Sequence, residues 1–153
     1  MPSLITASAD GTVWFTLNQA HAIGRIAPAG EITTYPLPTA GAAPVGIHAG
    51  REAVWFTEIE AGQIGRIFPG GRIEEFPLPD PSCRPHAIAA ADNGGCWATL
   101  WATSSAVRLD ADGRLAEEIS FQTGAEPHGL ALAPDGTPWV ALEAGCLAHL
   151  SAI

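Results

Sequence analysis

The chain is 153 residues long, 47% hydrophobic and only 15% charged, with 17 Gly and 13 Pro. It has the apolar content of a folded domain and a density of turn formers that a helical bundle does not tolerate. Sixteen acidic residues against seven basic ones, every base an arginine, leave a formal charge of −9, so the chain lacks the positive field that phosphate backbones demand and nucleic acid is excluded as a partner.

No stretch approaches the roughly 20 apolar residues needed to cross a bilayer. Met1-Pro2-Ser3-Leu4 has neither the basic head nor the apolar core of a leader, so the reading is a soluble, cytoplasmic protein with no membrane partner. Cys83, Cys96 and Cys146 are odd in number and lack CxxC spacing. They point to neither a disulfide framework nor a zinc site, and are expected to be small buried hydrophobes.

In chain order, the predicted strands fall into four similar groups. The first runs Pro2 to Ile5, Val13-Trp14-Phe15-Thr16, Ile23-Gly24-Arg25-Ile26 and Ile32 to Leu37. The second runs Pro44 to Ile47, Val54-Trp55-Phe56-Thr57, Ile64-Gly65-Arg66-Ile67 and Ile73 to Leu78. The third is Pro85 to Ile88, Cys96-Trp97-Ala98-Thr99, Ala106-Val107-Arg108-Leu109 and Leu115 to Phe121. The fourth has Pro127 to Leu130, Pro138-Trp139-Val140-Ala141 and a weak Leu147 to Leu150, and stops at Ile153 without a fourth strand. Asp10-Gly11, Gly70-Gly71, Asn93-Gly94, Asp112-Gly113 and Asp135-Gly136 lie between the strands, where positive φ is wanted.

Trp14, Trp55, Trp97 and Trp139 are spaced by 41, 42 and 42 residues, which sets the register. Short strands in units of about 40 to 45 residues are the mark of β-propeller blades of four antiparallel strands. The expectation is an all-β chain of about 3.75 blades, one propeller segment over 1–153 with repeats at approximately 1–42, 43–83, 84–125 and 126–153. The indoles are expected to fill the space between sheets, the glycines of the Ile-Gly-Arg-Ile words to allow close sheet contact, and their arginines to make polar contacts between blades or meet solvent. Such an array leaves an open edge at both ends. A four-bladed ring closing on itself, a homodimer completing a larger ring, or a longer parent chain would each cover them.

In a propeller the first strands line the central channel, and the loops leading into them share one mouth with those joining second and third strands. His86 and His128 occupy equivalent positions in those leading loops, 42 residues apart, and should converge near the axis. Glu126 lies two residues from His128, on the same side of an extended chain, and Glu143 falls in the loop after the second strand of the same blade. Asn18 and Trp101 stand at its counterpart in the first and third copies. Carboxylates suit a hard cation such as Mg²⁺, and a histidine near neutral pKa suits a general base. His21, His48, His149, Glu58 and Glu60 lack matching partners in the neighbouring copies and are read as solvated or structural. No nucleophile elbow, P-loop or HExxH helix is present in the sequence.

The tandem words Val-Trp-Phe-Thr and Ile-Gly-Arg-Ile, with Tyr35-Pro36-Leu37-Pro38 and Phe76-Pro77-Leu78-Pro79, resemble the virginiamycin B lyase (streptogramin B lyase) family through essentially the whole chain. That resemblance implies half of a seven-bladed propeller, the C-terminal half. It implies a lyase that linearises cyclic depsipeptide antibiotics of the streptogramin B type by Mg²⁺-dependent elimination at the ester bond, and so antibiotic resistance. By the same resemblance, His128 is the catalytic base, His86 contacts substrate, and Glu126 and Glu143 are metal ligands. Two rival readings stand beside it: a non-catalytic propeller serving as a binding or interaction module, and a lactonase-like propeller hydrolase.

Overall fold

A computed structural model describes residues 1–151 and contains fifteen strands, all in antiparallel meanders. The first sheet is β1 (Pro2–Ala7), β2 (Val13–Leu17), β3 (Ala22–Ile26) and β4 (Ile32–Pro36). The second is β5 (Pro44–Ala49), β6 (Val54–Glu58), β7 (Gln63–Ile67) and β8 (Ile73–Pro77). β9 (Pro85–Ala90), β10 (Cys96–Leu100), β11 (Ser105–Leu109) and β12 (Leu115–Ser120) form the third, and β13 (Pro127–Leu132), β14 (Pro138–Leu142) and β15 (Cys146–His149) the fourth. The sole helical element among the described residues is a single 3₁₀ turn at Asn18–Ala20. The chain is thus an open, partial propeller, as its repeated words predict. The expected close of the fourth repeat, at Ala152 and Ile153, lies outside the described residues.

What joins the sheets is a contact that points one way along the chain. Trp14 shares one buried core with Ile47, Val54, Phe56 and Ile67 of the second sheet, and Trp55 another with Ile88, Cys96, Ala98, Val107 and Leu109 of the third. Each indole removes about 150–250 Å² of mostly apolar surface from water, the largest contribution any side chain makes to such an interface. Turn glycines complete the fit from the other side. A Cβ on Gly71 would fall 2.5 Å from the Tyr35 ring of the first sheet, and one on Gly113 2.1 Å from the Phe76 ring of the second. Both glycines also hold positive φ (+94° and +79°), so these turns need glycine twice over.

Several details depart from the sequence reading. The glycines of the Ile-Gly-Arg-Ile words make their close contact within a sheet: Gly24 and Gly65 pair with Phe15 and Phe56 on the adjacent strand, whose rings lie over them. The arginines also lie over indoles, with the Arg66 guanidinium 5.2 Å from the Trp55 ring, and Arg66 makes the expected polar contact between blades by donating to the Ala111 carbonyl. Trp139 is 44% exposed, against 2% for Trp14, because among the described residues no sheet packs on its far side. Cys83 and Cys96 are buried but Cys146 is exposed, for the same reason. Leu4 and Ile5 are exposed at the opposite end, where no sheet precedes β1. First strands contact one another in the series β1, β5, β9, β13, and no comparable contact returns from β13 to β1.

Glu58, read as a solvated or structural residue of a loop, is fully buried at the end of β6 and so structural. Gln63 Nε2 donates to Glu58 Oε2 at 2.6 Å and to Thr39 Oγ1 at 2.8 Å, and Thr39 Oγ1 donates to Glu75 Oε2 at 2.7 Å. Glu58 Oε1 has no hydrogen-bond partner among the described residues. Desolvation, only partly offset by the Gln63 hydrogen bond and reinforced by the Glu75 charge, pushes the Glu58 carboxyl up to about 8.

Two predictions follow from this packing. Between pH 4.5, the ordinary glutamate value, and about 8, the folded state holds a proton on Glu58 that the unfolded chain releases, so stability falls as pH rises through that window. Glu58→Gln should abolish that component, seen as a smaller loss of denaturation midpoint between pH 5 and 8 than in the parent. Gly65→Ala sets a methyl 2.2 Å from the Phe56 ring and should cost about 1–3 kcal/mol in chemical denaturation, whereas Gly70→Ala, with nothing within 4 Å, should cost far less.

Candidate active site

The leading strands begin in an unusual way that repeats from sheet to sheet. Ala43, Arg84 and Glu126, each just before a proline, hold the left-handed conformation at φ of 53°, 52° and 49°. Non-glycine residues adopt it at a cost, and a following proline restricts the backbone further. The conformation aims each residue's carbonyl at the loop after the second strand. The Ala43, Arg84 and Glu126 oxygens accept from the N–H groups of Ile59, Trp101 and Glu143 at 3.3, 3.2 and 3.1 Å. The fold therefore brings the same two backbone positions together in the second, third and fourth sheets. Only the fourth puts a glutamate at both, and so joins Glu126 to Glu143.

A β-bulge comes next. Pro127 pairs with Leu142 and Gly129 with Ala141, leaving His128 unopposed. In the third sheet Pro85 pairs with Leu100 and Ile88 with Ala98, so His86 and Ala87 face the single residue Thr99. An extra residue at a strand start bends the strand and redirects its side chain. Here it turns two imidazoles on adjacent blades toward one another. His128 Nε2 lies 3.1 Å from His86 Nε2, with ring centroids 4.1 Å apart and planes at 89°. His128 Nδ1 is hydrogen-bonded to Glu143 Oε1.

These contacts order the protons. With Nδ1–H donated to the Glu143 carboxylate, His128 Nε2 keeps its lone pair, and His86 must be the donor across the pair. The hydrogen bond from His128 holds Glu143 below the usual carboxylate range, assisted by nearby Trp101 and Glu126. Burial lowers the His86 imidazole, so His86 favours its neutral form.

The structure thus brings His86, His128 and Glu143 into one hydrogen-bonded line and ties Glu126 to Glu143 through the backbone. Among the described residues no three His, Cys, Asp or Glu side chains enclose a common metal position. What the site offers a cation is a pair of hard oxygen donors, Glu126 and Glu143. The remaining candidates serve the scaffold: His21 Nδ1 accepts the Ala43 N–H at 3.1 Å and His48 Nδ1 the Ala90 N–H at 3.0 Å. His149 stacks on Trp139 at 4.4 Å. Sequence reasoning passed over Trp101, whose signal was a tryptophan standing outside the blade register, at the position that carries Glu143 one blade later.

Comparison with known proteins identifies the family of the chain. The model of the virginiamycin B lyase family matches residues 1–150. A virginiamycin B lyase of Nocardia farcinica is 51% identical over 94 residues, which cover 61% of this chain and 34% of that one. Selenomethionine-substituted virginiamycin B lyase from Staphylococcus aureus superposes with a TM-score of 0.92 at 42% identity, over 99% of this chain and 52% of that chain. A catalytically inactive variant of virginiamycin B lyase from Staphylococcus aureus, crystallised with quinupristin, gives a TM-score of 0.87 at 31% identity, covering 99% and 55%. The chain therefore spans about half the length of these solved structures and a third of the Nocardia relative. With the family model matching nearly every residue of it, the chain belongs to the virginiamycin B lyase family.

Proposed function

We propose that this chain carries the catalytic wall of a streptogramin B lyase, corresponding to the C-terminal half of the longer family members, and that it opens cyclic depsipeptides at their ester bond by elimination. The observation that carries the reading is His128, held at Nδ1 by Glu143 and facing His86 across Nε2. A base oriented through its second nitrogen by a carboxylate presents one lone pair in one direction, which is what proton abstraction requires.

In this reading His128 Nε2 takes the proton from the carbon α to a carbonyl. The electron pair forms a carbon–carbon double bond, the β carbon–oxygen bond breaks, and the ester carboxylate departs. No water is consumed, so the ring opens without change of mass. His86, held neutral, donates a hydrogen bond to substrate once the substrate separates the two imidazoles. Glu126 and Glu143 fit Mg²⁺, which commonly takes one or two protein carboxylates and keeps several waters. When bound, the ion would polarise the substrate carbonyl and so acidify the adjacent proton.

The open ends bear on activity. The fourth blade presents Trp139 and Leu147 where its neighbours present buried residues, and the first presents Leu4 and Ile5. Because the contact between blades points one way, the trailing face of one copy matches the leading face of another. A homodimer joined head to tail is the arrangement we propose for closing the channel around the substrate.

Turnover and oligomeric state both test the reading. Quinupristin incubated with the chain and Mg²⁺ should shift in chromatography at unchanged mass; a gain of one water would favour a hydrolase, and an intact ring a binding module. His128→Ala should lower turnover by at least about 100-fold with its circular dichroism unaltered, and chelation should suppress the parent's activity. Light scattering should give twice the chain mass, and Trp139→Glu should return it to the monomer. A monomeric parent that linearises quinupristin would remove the dimer and leave the lyase standing.

A further inference from the structure

The threonine that closes each aromatic word makes the same pair of hydrogen bonds in three consecutive blades. Thr16 Oγ1 accepts the Leu4 N–H at 3.1 Å and donates to the Val45 carbonyl at 2.9 Å. Thr57 Oγ1 accepts from Gly46 N–H at 2.8 Å and donates to the His86 carbonyl at 2.8 Å. Thr99 Oγ1 accepts from Ala87 N–H at 2.9 Å and donates to the His128 carbonyl at 3.3 Å.

Val45 C=O and Gly46 N–H are the two ends of one peptide group, as are His86 C=O and Ala87 N–H. The bonds therefore join into one line: Thr16 hydroxyl, the 45–46 peptide, Thr57 hydroxyl, the 86–87 peptide, Thr99 hydroxyl, the carbonyl of His128. Every donor points the same way, so each link polarises the next. The fourth blade has Ala141 at the threonine position, and the line of hydroxyls stops at the His128 peptide. Thr16, Thr57 and Thr99 are all buried, so no water replaces a lost hydroxyl at low cost.

The line answers a problem set by the bulges. A bulge removes ladder partners from the peptide groups at His86 and His128, and a strand start with free backbone groups would leave its imidazole poorly aimed. We infer that Thr57 and Thr99 are positioning residues for the imidazole pair, Thr57 fixing the His86 peptide and Thr99 fixing both histidine peptides at once across the blade junction. This rests on the lyase reading for its consequence in turnover, but not for its geometry. Thr16 makes the same bonds to Val45, which carries no imidazole, and so separates positioning from stability.

Thr16→Val, Thr57→Val, Thr99→Val and Thr99→Ser, each in the full chain, provide the test. All three valine variants should lower the thermal midpoint comparably. Proton NMR at one pH should then show the ring-to-ring cross-relaxation between His86 and His128 weakened in Thr57→Val and Thr99→Val, and preserved in Thr16→Val and Thr99→Ser. With quinupristin, Thr99→Val should lose about 10–100-fold in kcat with KM little changed, and Thr99→Ser should recover most of it. Equal ring contacts in Thr16→Val and Thr99→Val, or no recovery by serine, would overturn the assignment. If Thr99→Val does not fold, Thr57→Val against Thr16→Val makes the same comparison. A parent chain inert toward quinupristin removes the lyase reading alone, since the NMR comparison still decides the positioning role.

Discussion

Everything in this molecule depends on how one twisted sheet lies against the next. A four-stranded meander has two faces and little interior of its own, and it becomes stable only when both are covered. The indole of one sheet and the aromatic–glycine contact returning from the next provide that cover. Because the unit is the same each time, the leading strands come to lie side by side in sequence order, and whatever the strand starts carry is gathered along one line. The candidate site is therefore a product of stacking, with no dedicated framework of its own.

The backbone at those strand starts is demanding. It contains a left-handed residue before proline, a bulge, and carbonyls that the ladder cannot satisfy, in blade after blade. The second and third sheets carry the same backbone without the paired carboxylates, so these features belong to the fold. Chemistry is added by substitution: glutamate where other blades have Ala43 or Arg84, and glutamate again where they have Ile59 or Trp101. A strained scaffold shared by three blades thus comes to carry the candidate site in one of them through side chains alone.

The blade pattern was legible because period-2 strands, turn glycines and a 41 to 42 residue tryptophan spacing agree with one another. The convergence of His86 and His128 was legible as well, since equivalent positions on neighbouring repeats must be neighbours in space. What sequence did not disclose were properties that depend on the missing neighbour or on cross-strand register. Trp139 and Cys146 look like their counterparts in one dimension and differ because no further sheet among the described residues covers them. Glu58 looks like a loop acid and is buried because β6 extends through it and Gln63 reaches back to it. The glycine of each Ile-Gly-Arg-Ile word reads as a site of sheet-to-sheet approach until the register sets Phe15 over Gly24 and Phe56 over Gly65.

The one-way contact between sheets gives the array unlike poles, in the manner of a polymer subunit. Like surfaces do not meet; a trailing pole fits only a leading one, so assembly of copies is heterologous by construction. Whether such subunits end as a closed circle or continue as a filament is set by the angle each sheet makes with the next. Curvature in a propeller is thus a safeguard against fibre growth, as well as the source of its channel.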